Sequence, residues 1–154
     1  MTFPRCGEAG QTRPVVAVID GQGGGFGVAL IKELRMRFGE ALEVWALGTN
    51  SSATSAMMKA KANRGATGEN ALLTCLPKVD AVMGPIAVTW ANAMMGEITP
   101  AMAAAVMSVP APKVLIPLSQ EGVTLAGFKS EPLPHLVGEA ISQLARLAGA
   151  APAE

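Results

Sequence analysis

Five glycines stand within residues 21–27, directly after the strand-like run VVAVID. A tight turn from a strand into a helix needs one or two glycines, because glycine adopts positive φ without a Cβ clash. Five glycines indicate that a bulky group lies close to the backbone. The amino end of the following helix presents free N–H groups and a partial positive charge, which attract phosphate. The turn therefore predicts a site for a phosphate-bearing nucleotide. The contact residues predicted here are Gly21, Gln22, Gly23, Gly24, Gly25, Phe26 and Gly27.

The spacing of these glycines excludes some nucleotide-binding motifs. A Walker A loop ends in Gly-Lys-Ser/Thr, whereas Phe26-Gly27-Val28 stands here. A GxGxxG pattern that starts at Gly21 fails at Phe26. The pattern Gly21-x-x-x-Gly25-x-Gly27 resembles the GxxxGxG turn of short-chain dehydrogenases and reductases. That resemblance implies a nicotinamide cofactor but not the family's reaction, because the family's catalytic residue is a Tyr and this chain has none.

Polar residues and glycines also follow the second and third predicted strands. Ligands of open α/β sheets lie beyond the carboxyl ends of the strands. A carboxylate for the adenosine ribose is expected there, about 20 residues past the glycines, but residues 48–50 contain none, so nothing selects NAD. Hydroxyl side chains within 49–52, with Lys59 or Arg64 nearby, slightly favour NADP. The contact residues predicted at these strand ends are Thr49, Asn50, Ser51, Gly84 and Pro85.

Several polar residues have a structural interpretation beside the functional one. Thr49 and Asn50 can cap the next helix, and a cap is compatible with ligand binding. Asp20 is interpreted as a hydrogen-bonding brace for the glycine turn, because a carboxylate in contact with a phosphate would repel it. Glu97 is the candidate general acid or base if it faces the strand tips; alternatively, it is a charge favourably placed at a helix start. His135 is predicted to be an exposed residue of the last helix.

Strand-like and helical segments alternate, which is typical of βαβ units around a parallel sheet. Strands are predicted over 15–20, 42–47, 80–84 and 113–118, with a short antiparallel edge strand over 123–127. Helices are predicted after the glycine turn, over 53–61, from Pro100 with Thr99 as cap, and within 133–149. Residues 63–70 are predicted to form a loop, in which Arg64 binds an anion or pairs with Glu69. The fold class is α/β, a single Rossmann-like three-layer domain over 14–148 with a mostly parallel sheet, flanked by a flexible arm (1–13) and a flexible tail (149–154).

The composition limits the possible partners. The chain has 12 Lys and Arg residues and 12 Asp and Glu residues, and the basic residues form no stripe. Aromatic residues make up 4% of the chain. Both features argue against nucleic acid as a partner. The longest apolar run is too short and too polar to cross a membrane. Two Cys and one His indicate no metal site. The absence of a signal peptide predicts a cytoplasmic location. Methionines within 51–61 and 90–108 predict a homodimer, since Met is frequent at adaptable contact surfaces.

Longer stretches carry a second resemblance. VIDGQGGGFG, ALGTNSSATSAMMKAKANRGATGENA, GPIAV, ANAMMGEITPAMA and KVLIPL together resemble the DUF3842 family of small bacterial Rossmann-like proteins of unknown function. The likeness spans residues 15–118 and implies a Rossmann-like fold in a bacterial, cytoplasmic setting, but no activity. The function stays open between a protein that binds NADP(H) or NAD(H) with an unassigned reaction, and a non-catalytic nucleotide sensor or partner-binding module. A structural subunit with an empty pocket is a third alternative.

Overall fold

A computed structural model describes residues 13–149 and contains five strands and five α-helices in alternating order. The strands are β1 (Val15–Asp20), β2 (Glu43–Gly48), β3 (Arg64–Thr67), β4 (Ala81–Pro85) and β5 (Lys113–Ile116). The helices are α1 (Gly25–Phe38), α2 (Ser51–Lys59), α3 (Glu69–Cys75), α4 (Pro100–Ser108) and α5 (Leu133–Leu147).

All five strands form one parallel sheet in the order β3-β2-β1-β4-β5. This is the strand order of the Rossmann fold without its sixth strand. Helices α1 and α5 pack on one face of the sheet and α3 and α4 on the other. The predicted three-layer α/β fold is confirmed. The order reverses between β1 and β4, which places a crevice at the carboxyl end of β1, where the glycine turn begins.

The central strand explains the high apolar content of the chain. All six residues of β1 are buried, because both faces of the sheet are covered by helices. Alternate residues of β1 belong to different cores: Val16 and Val18 pack toward α1 and α5, whereas Val15, Ala17 and Ile19 pack toward α3 and α4. Strands buried on both faces are apolar throughout.

Two predictions at the sheet edges are wrong. Residues 63–70 do not form only a loop: Arg64–Thr67 is the parallel edge strand β3, paired with β2 from Trp45↔Arg64 to Gly48↔Thr67. Its glycine and alanine have low strand propensity, so the ladder of β2 imposes the extended conformation. Residues 123–127 do not form a strand. Within residues 13–149, the antiparallel pairing in this region is a single bridge, Gln120↔Val123.

The helix predicted over 53–61 begins and ends two residues earlier, at Ser51–Lys59, because Asn50 caps it and Lys61 has a left-handed φ of 83°. The predicted arm and tail lie outside the described residues except for Arg13 and Gly149. Within residues 13–149, none of the helices combines the length and apolar character needed to cross a membrane.

Candidate functional site

The glycine turn is held in shape by one buried carboxylate. Asp20 ends β1, and its Oδ1 accepts the N–H of Gly21 at 2.8 Å while its Oδ2 accepts the N–H of Gly27 at 2.7 Å. The N–H of Gly24 donates to the carbonyl of Gly21 at 2.9 Å and closes the turn. The interpretation of Asp20 as a brace is confirmed: both oxygens bind the turn's own amides.

Three of the five glycines are required by the fold itself. Gly24 has a φ of 77°, and a Cβ there would stand 3.1 Å from the backbone of Ala53. A Cβ at Gly21 would stand 2.6 Å from the Thr49 hydroxyl, and one at Gly27 would stand 3.1 Å from the Cβ of Asp20. All three glycines are buried, so close packing is sufficient to explain them.

The other two glycines have no such explanation. Gly23 and Gly25 are exposed, neither has a positive φ, and a Cβ at either would meet no atom within 4 Å. Their amide N–H groups donate to no acceptor within residues 13–149. The residue that begins helix α1, Gly24, has no side chain to cap it, and the first turn contains no acidic residue; Asp20 accepts the N–H of Gly27 but leaves that of Gly25 unpaired. The turn therefore presents open space and unpaired donors at the positive end of a helix.

Glu97 reaches this turn from the segment between β4 and α4. Its Oε1 accepts three hydrogen bonds: from the N–H of Gln22 at 3.0 Å, from Oγ1 of Thr49 at 2.7 Å and from Nδ2 of Asn50 at 2.6 Å. Glu97 thus faces the strand tips, as its candidate role required. Glu97 lies two residues before Thr99, which caps α4 as predicted, and the first turn of α4 contains no acidic residue.

The two carboxylates have pKa values shifted in opposite directions. Burial is the largest influence on Asp20 and raises its pKa, although three turn amides, those of Gly27, Gly21 and Phe26, lower it; the charge of Glu97 raises it further. Burial also raises the pKa of Glu97, but the hydrogen bonds from Thr49, Gln22 and Asn50 outweigh it and leave the pKa below 4.5. Glu97 is therefore ionised at neutral pH, which suits an acceptor and not a general acid.

The tip of β2 has structural roles, and the contacts predicted there, Thr49, Asn50 and Ser51, line none of the cavities described below. Oδ1 of Asn50 accepts the N–H of Ala53 at 2.9 Å and caps α2, while its Nδ2 donates to Glu97 and to the carbonyl of Gln22 at 3.0 Å. Capping by Asn50 is confirmed, and the same side chain joins β2 to the glycine turn. Ser51, the first residue of α2, is exposed and stands outside this hydrogen-bonded group.

A cavity of about 250 Å³ lies against the glycine turn. It shares the lining residues Phe26 and Leu133 with a second cavity of about 450 Å³ beyond β5, so the two cavities adjoin and are together called the groove. No Lys or Arg of the described residues lines either cavity. The first cavity is lined by Asp20, Gly21, Gln22, Gly23, Gly24, Gly25, Phe26, Met94, Gln120 and Leu133.

The predicted contacts at the tip of β4 lie elsewhere. Gly84 and Pro85 are buried strand residues and do not line this groove. A Cβ at Gly84 would contact the carbonyl oxygen of Ile19, so close packing of β4 on β1 explains that glycine.

A separate cavity of about 190 Å³ lies beside β3, between Trp45, Arg64, Cys75 and Lys78. Arg64 stands 5.8 Å from the centre of the Trp45 ring and pairs with Glu43 at 3.5 Å. The pairing of Arg64 with Glu69 is therefore wrong. Because open α/β sheets bind ligands beyond the strand ends, and this cavity lies along β2 and β3, the groove at the glycine turn is the candidate site.

Some features of the groove were not predicted. Met94, Gln120 and Leu133 line it but belong to segments without a recognisable motif. The segment that carries Glu97 contains left-handed φ values at Asn92, Met94 and Met95, and strain of this kind clusters at functional sites. No local pattern in the sequence signals the conformation of Met94 and Met95, because Met usually adopts negative φ.

His135 is exposed in the first turn of α5, as predicted. Among the described residues, no three His, Cys, Asp or Glu side chains are grouped as metal ligands would be.

Comparison with known proteins gives the family and no activity. No curated protein and no solved structure matches the chain. One family profile matches residues 15–149, which is nearly the whole of the domain described above. The match confirms the resemblance seen in the glycine turn and the later strands, and the chain belongs to the family described as "Domain of unknown function (DUF3842)".

Proposed function

We propose that this protein binds a dinucleotide, NAD(H) or NADP(H), with its pyrophosphate against the glycine turn. The observation that carries the proposal is the pair Gly23 and Gly25, which are exposed, unexplained by packing and provided with unpaired N–H groups at the start of α1. A phosphate oxygen can accept from both amides and lie along the helix axis. A side chain at either position would occupy that space.

The shape of the groove supports a ligand with two parts. The cavity at the turn, about 250 Å³, is smaller than the roughly 300–1,000 Å³ of most small-molecule sites. The adjoining cavity beyond β5 extends it past Phe26 and Leu133. A dinucleotide would lie across the turn with one nucleoside near the tip of β2 and the other toward β5, as in other doubly wound sheets.

The reaction is left unassigned, and a non-catalytic sensor or partner-binding module is the second candidate. The sensor is favoured by the small number of ionisable side chains around the groove. Among the described residues that line it, the ionisable ones are Asp20 and Glu131. Both oxygens of Asp20 are committed to the turn, and Glu97 at its edge is ionised. Any redox chemistry would be supplied by the cofactor.

We also propose that the protein is bacterial and cytoplasmic, and that it forms a homodimer through residues 51–61 or 90–108. Of the methionines in these segments, Met57, Met94 and Met102 fill the cores, whereas Met58, Met95 and Met107 are exposed. Exposed apolar side chains in both segments support a contact there. Light scattering at micromolar concentration should report twice the mass of one chain, and a monomer mass would contradict this part of the proposal.

Calorimetric titration of the purified protein with NAD⁺, NADP⁺ and ADP tests the binding function. We expect at least one of the dinucleotides to bind, and mass spectrometry of the gently purified protein to detect a released nucleotide. If no nucleotide binds and none is released, the glycine turn is only structural. Turnover of NADH or NADPH with a carbonyl substrate would favour the enzyme over the sensor.

A further inference from the structure

The Glu97 carboxylate is held from one side only. All three of its hydrogen bonds, from Gln22, Thr49 and Asn50, go to Oε1. Its Oε2 accepts no hydrogen bond from any residue within 13–149, and the side chain is only partly buried. Glu97 therefore presents a fixed, charged acceptor beside Gln22, which lines the groove, and beside the tip of β2.

This position corresponds to a known subsite of dinucleotide-binding folds. There an Asp or Glu at the end of the second strand binds the ribose hydroxyls of the adenosine. The end of β2 in this chain has no carboxylate of its own. Glu97, 48 residues beyond Thr49 in the chain, brings a carboxylate to the same strand tip through its bonds to Thr49 and Asn50.

We propose that Glu97 accepts the 2′-hydroxyl of the adenosine ribose and excludes a 2′-phosphate, so that the protein selects NAD(H) over NADP(H). The inference rests on the proposed dinucleotide site and names the ligand within it. A ribose hydroxyl can donate to Oε2 of Glu97. A 2′-phosphate, with a charge near −2, would meet a carboxylate instead.

The cations that a 2′-phosphate would need are distant from this tip. Arg64 is paired in register with Trp45, three residues before Gly48, which is roughly 10 Å along the strand. It also faces Glu43. Lys59 is the last residue of α2, about 12 Å along the helix axis from the first residue at the strand tip.

The experiment compares dissociation constants for NAD⁺, NADP⁺, ADP and 2′-deoxy-ADP by calorimetric titration. Wild-type protein should bind NAD⁺ at least about tenfold more tightly than NADP⁺, and ADP about tenfold more tightly than 2′-deoxy-ADP, as for loss of one hydrogen bond to a charged group. Glu97→Gln keeps an amide oxygen for the three donors but removes the charge. It should reduce both preferences to about threefold or less.

Glu69→Gln is the matched control. Glu69 accepts a hydrogen bond at 2.6 Å from the hydroxyl of Thr99, which is two residues from Glu97 in the chain. Unlike Glu97, Glu69 makes no hydrogen bond to the glycine turn or to the tip of β2 within residues 13–149. Glu69→Gln removes one negative charge and weakens one contact of the segment that carries Glu97. The preferences for NAD⁺ over NADP⁺ and for ADP over 2′-deoxy-ADP should both remain at wild-type values.

The outcomes separate this inference from the binding function. If wild-type protein binds no nucleotide, the proposed function fails. If it binds NADP⁺ as tightly as NAD⁺, or 2′-deoxy-ADP as tightly as ADP, the site stands and the role of Glu97 is overturned. If Glu97→Gln keeps the wild-type preferences for NAD⁺ and for ADP, the role of Glu97 is likewise overturned. The two wild-type comparisons can overturn the inference even if the variant does not fold.

Discussion

Substitution of Gly25 by Val separates a ligand-binding glycine from a structural one. Gly25 is the first residue of α1 and is exposed, its φ is not positive, and its Cβ would enter open space. No strain is expected, and the helix propensities of Gly and Val are similar. The change should alter the free energy of unfolding by no more than about 0.5 kcal/mol.

The effect on the ligand should be much larger. A dinucleotide at 100 times its dissociation constant stabilises the wild-type protein by about 2.7 kcal/mol, which raises the melting temperature of a chain of this size by about 5–11 °C. The valine methyl groups would fill the space next to the unpaired N–H of Gly25. A hundredfold loss of affinity would leave about 0.4 kcal/mol of stabilisation at the same ligand concentration, or about 1–2 °C.

The assay is a thermal melt with and without the nucleotide that binds the wild type best. The control is Gly138→Val in α5, where a Cβ also enters open space but lies away from the glycine turn. The control should keep the full shift. A full shift in Gly25→Val would refute the placement of the phosphate against Gly25. If the valine variant melts far below the wild type without ligand, the glycine is structural and the reasoning from open space is wrong.

Three further predictions follow from the same geometry. Gly27→Ala should destabilise the fold by about 1–3 kcal/mol in urea unfolding, because the new Cβ overlaps the Met57 side chain in a packed core; an unchanged midpoint would contradict this packing. Asp20→Asn should cost about 1–3 kcal/mol in the same measurement, because an amide oxygen cannot replace both carboxylate oxygens of the brace; a wild-type free energy would contradict the brace. The pKa of Glu97 is lower in the folded state than its usual 4.5. Its contribution to stability should therefore be fully present above pH 4.5 and be lost as the pH falls through the folded pKa. The difference in unfolding free energy between wild type and Glu97→Gln should shrink on acidification, and a difference that stays constant with pH would refute the assignment.

Local and contiguous features could be predicted from the sequence. The bounds of β1 were predicted correctly because five apolar residues and Asp20 are followed at once by glycine. The start of α4 was predicted because Thr99 and Pro100 form a cap and first turn within a few residues. The brace role of Asp20 was predicted because it stands directly before the glycines, where a carboxylate would repel a phosphate, and its hydrogen bonds to Gly21 and Gly27 confirm it.

The edge strand β3 could not be predicted in this way. Arg64–Thr67 contains a glycine, an alanine and exposed side chains, which read as a loop. Its extended conformation depends on hydrogen bonds to β2, and this partner is distant in the chain. The short bridge at Gln120↔Val123 shows the converse: strand-like residues form no ladder without a neighbouring strand.

The sequence by itself determined four of the five strands, the helices other than α3, the glycine turn and the family, because each depends on residues close together in the chain. It did not distinguish the three glycines required for packing from Gly23 and Gly25, since that depends on which atoms surround each Cβ. Only the tertiary structure brought Glu97 to the tips of β1 and β2. Parallel strands end at a common edge, so a residue 48 positions beyond Thr49 can supply the carboxylate that β2 lacks.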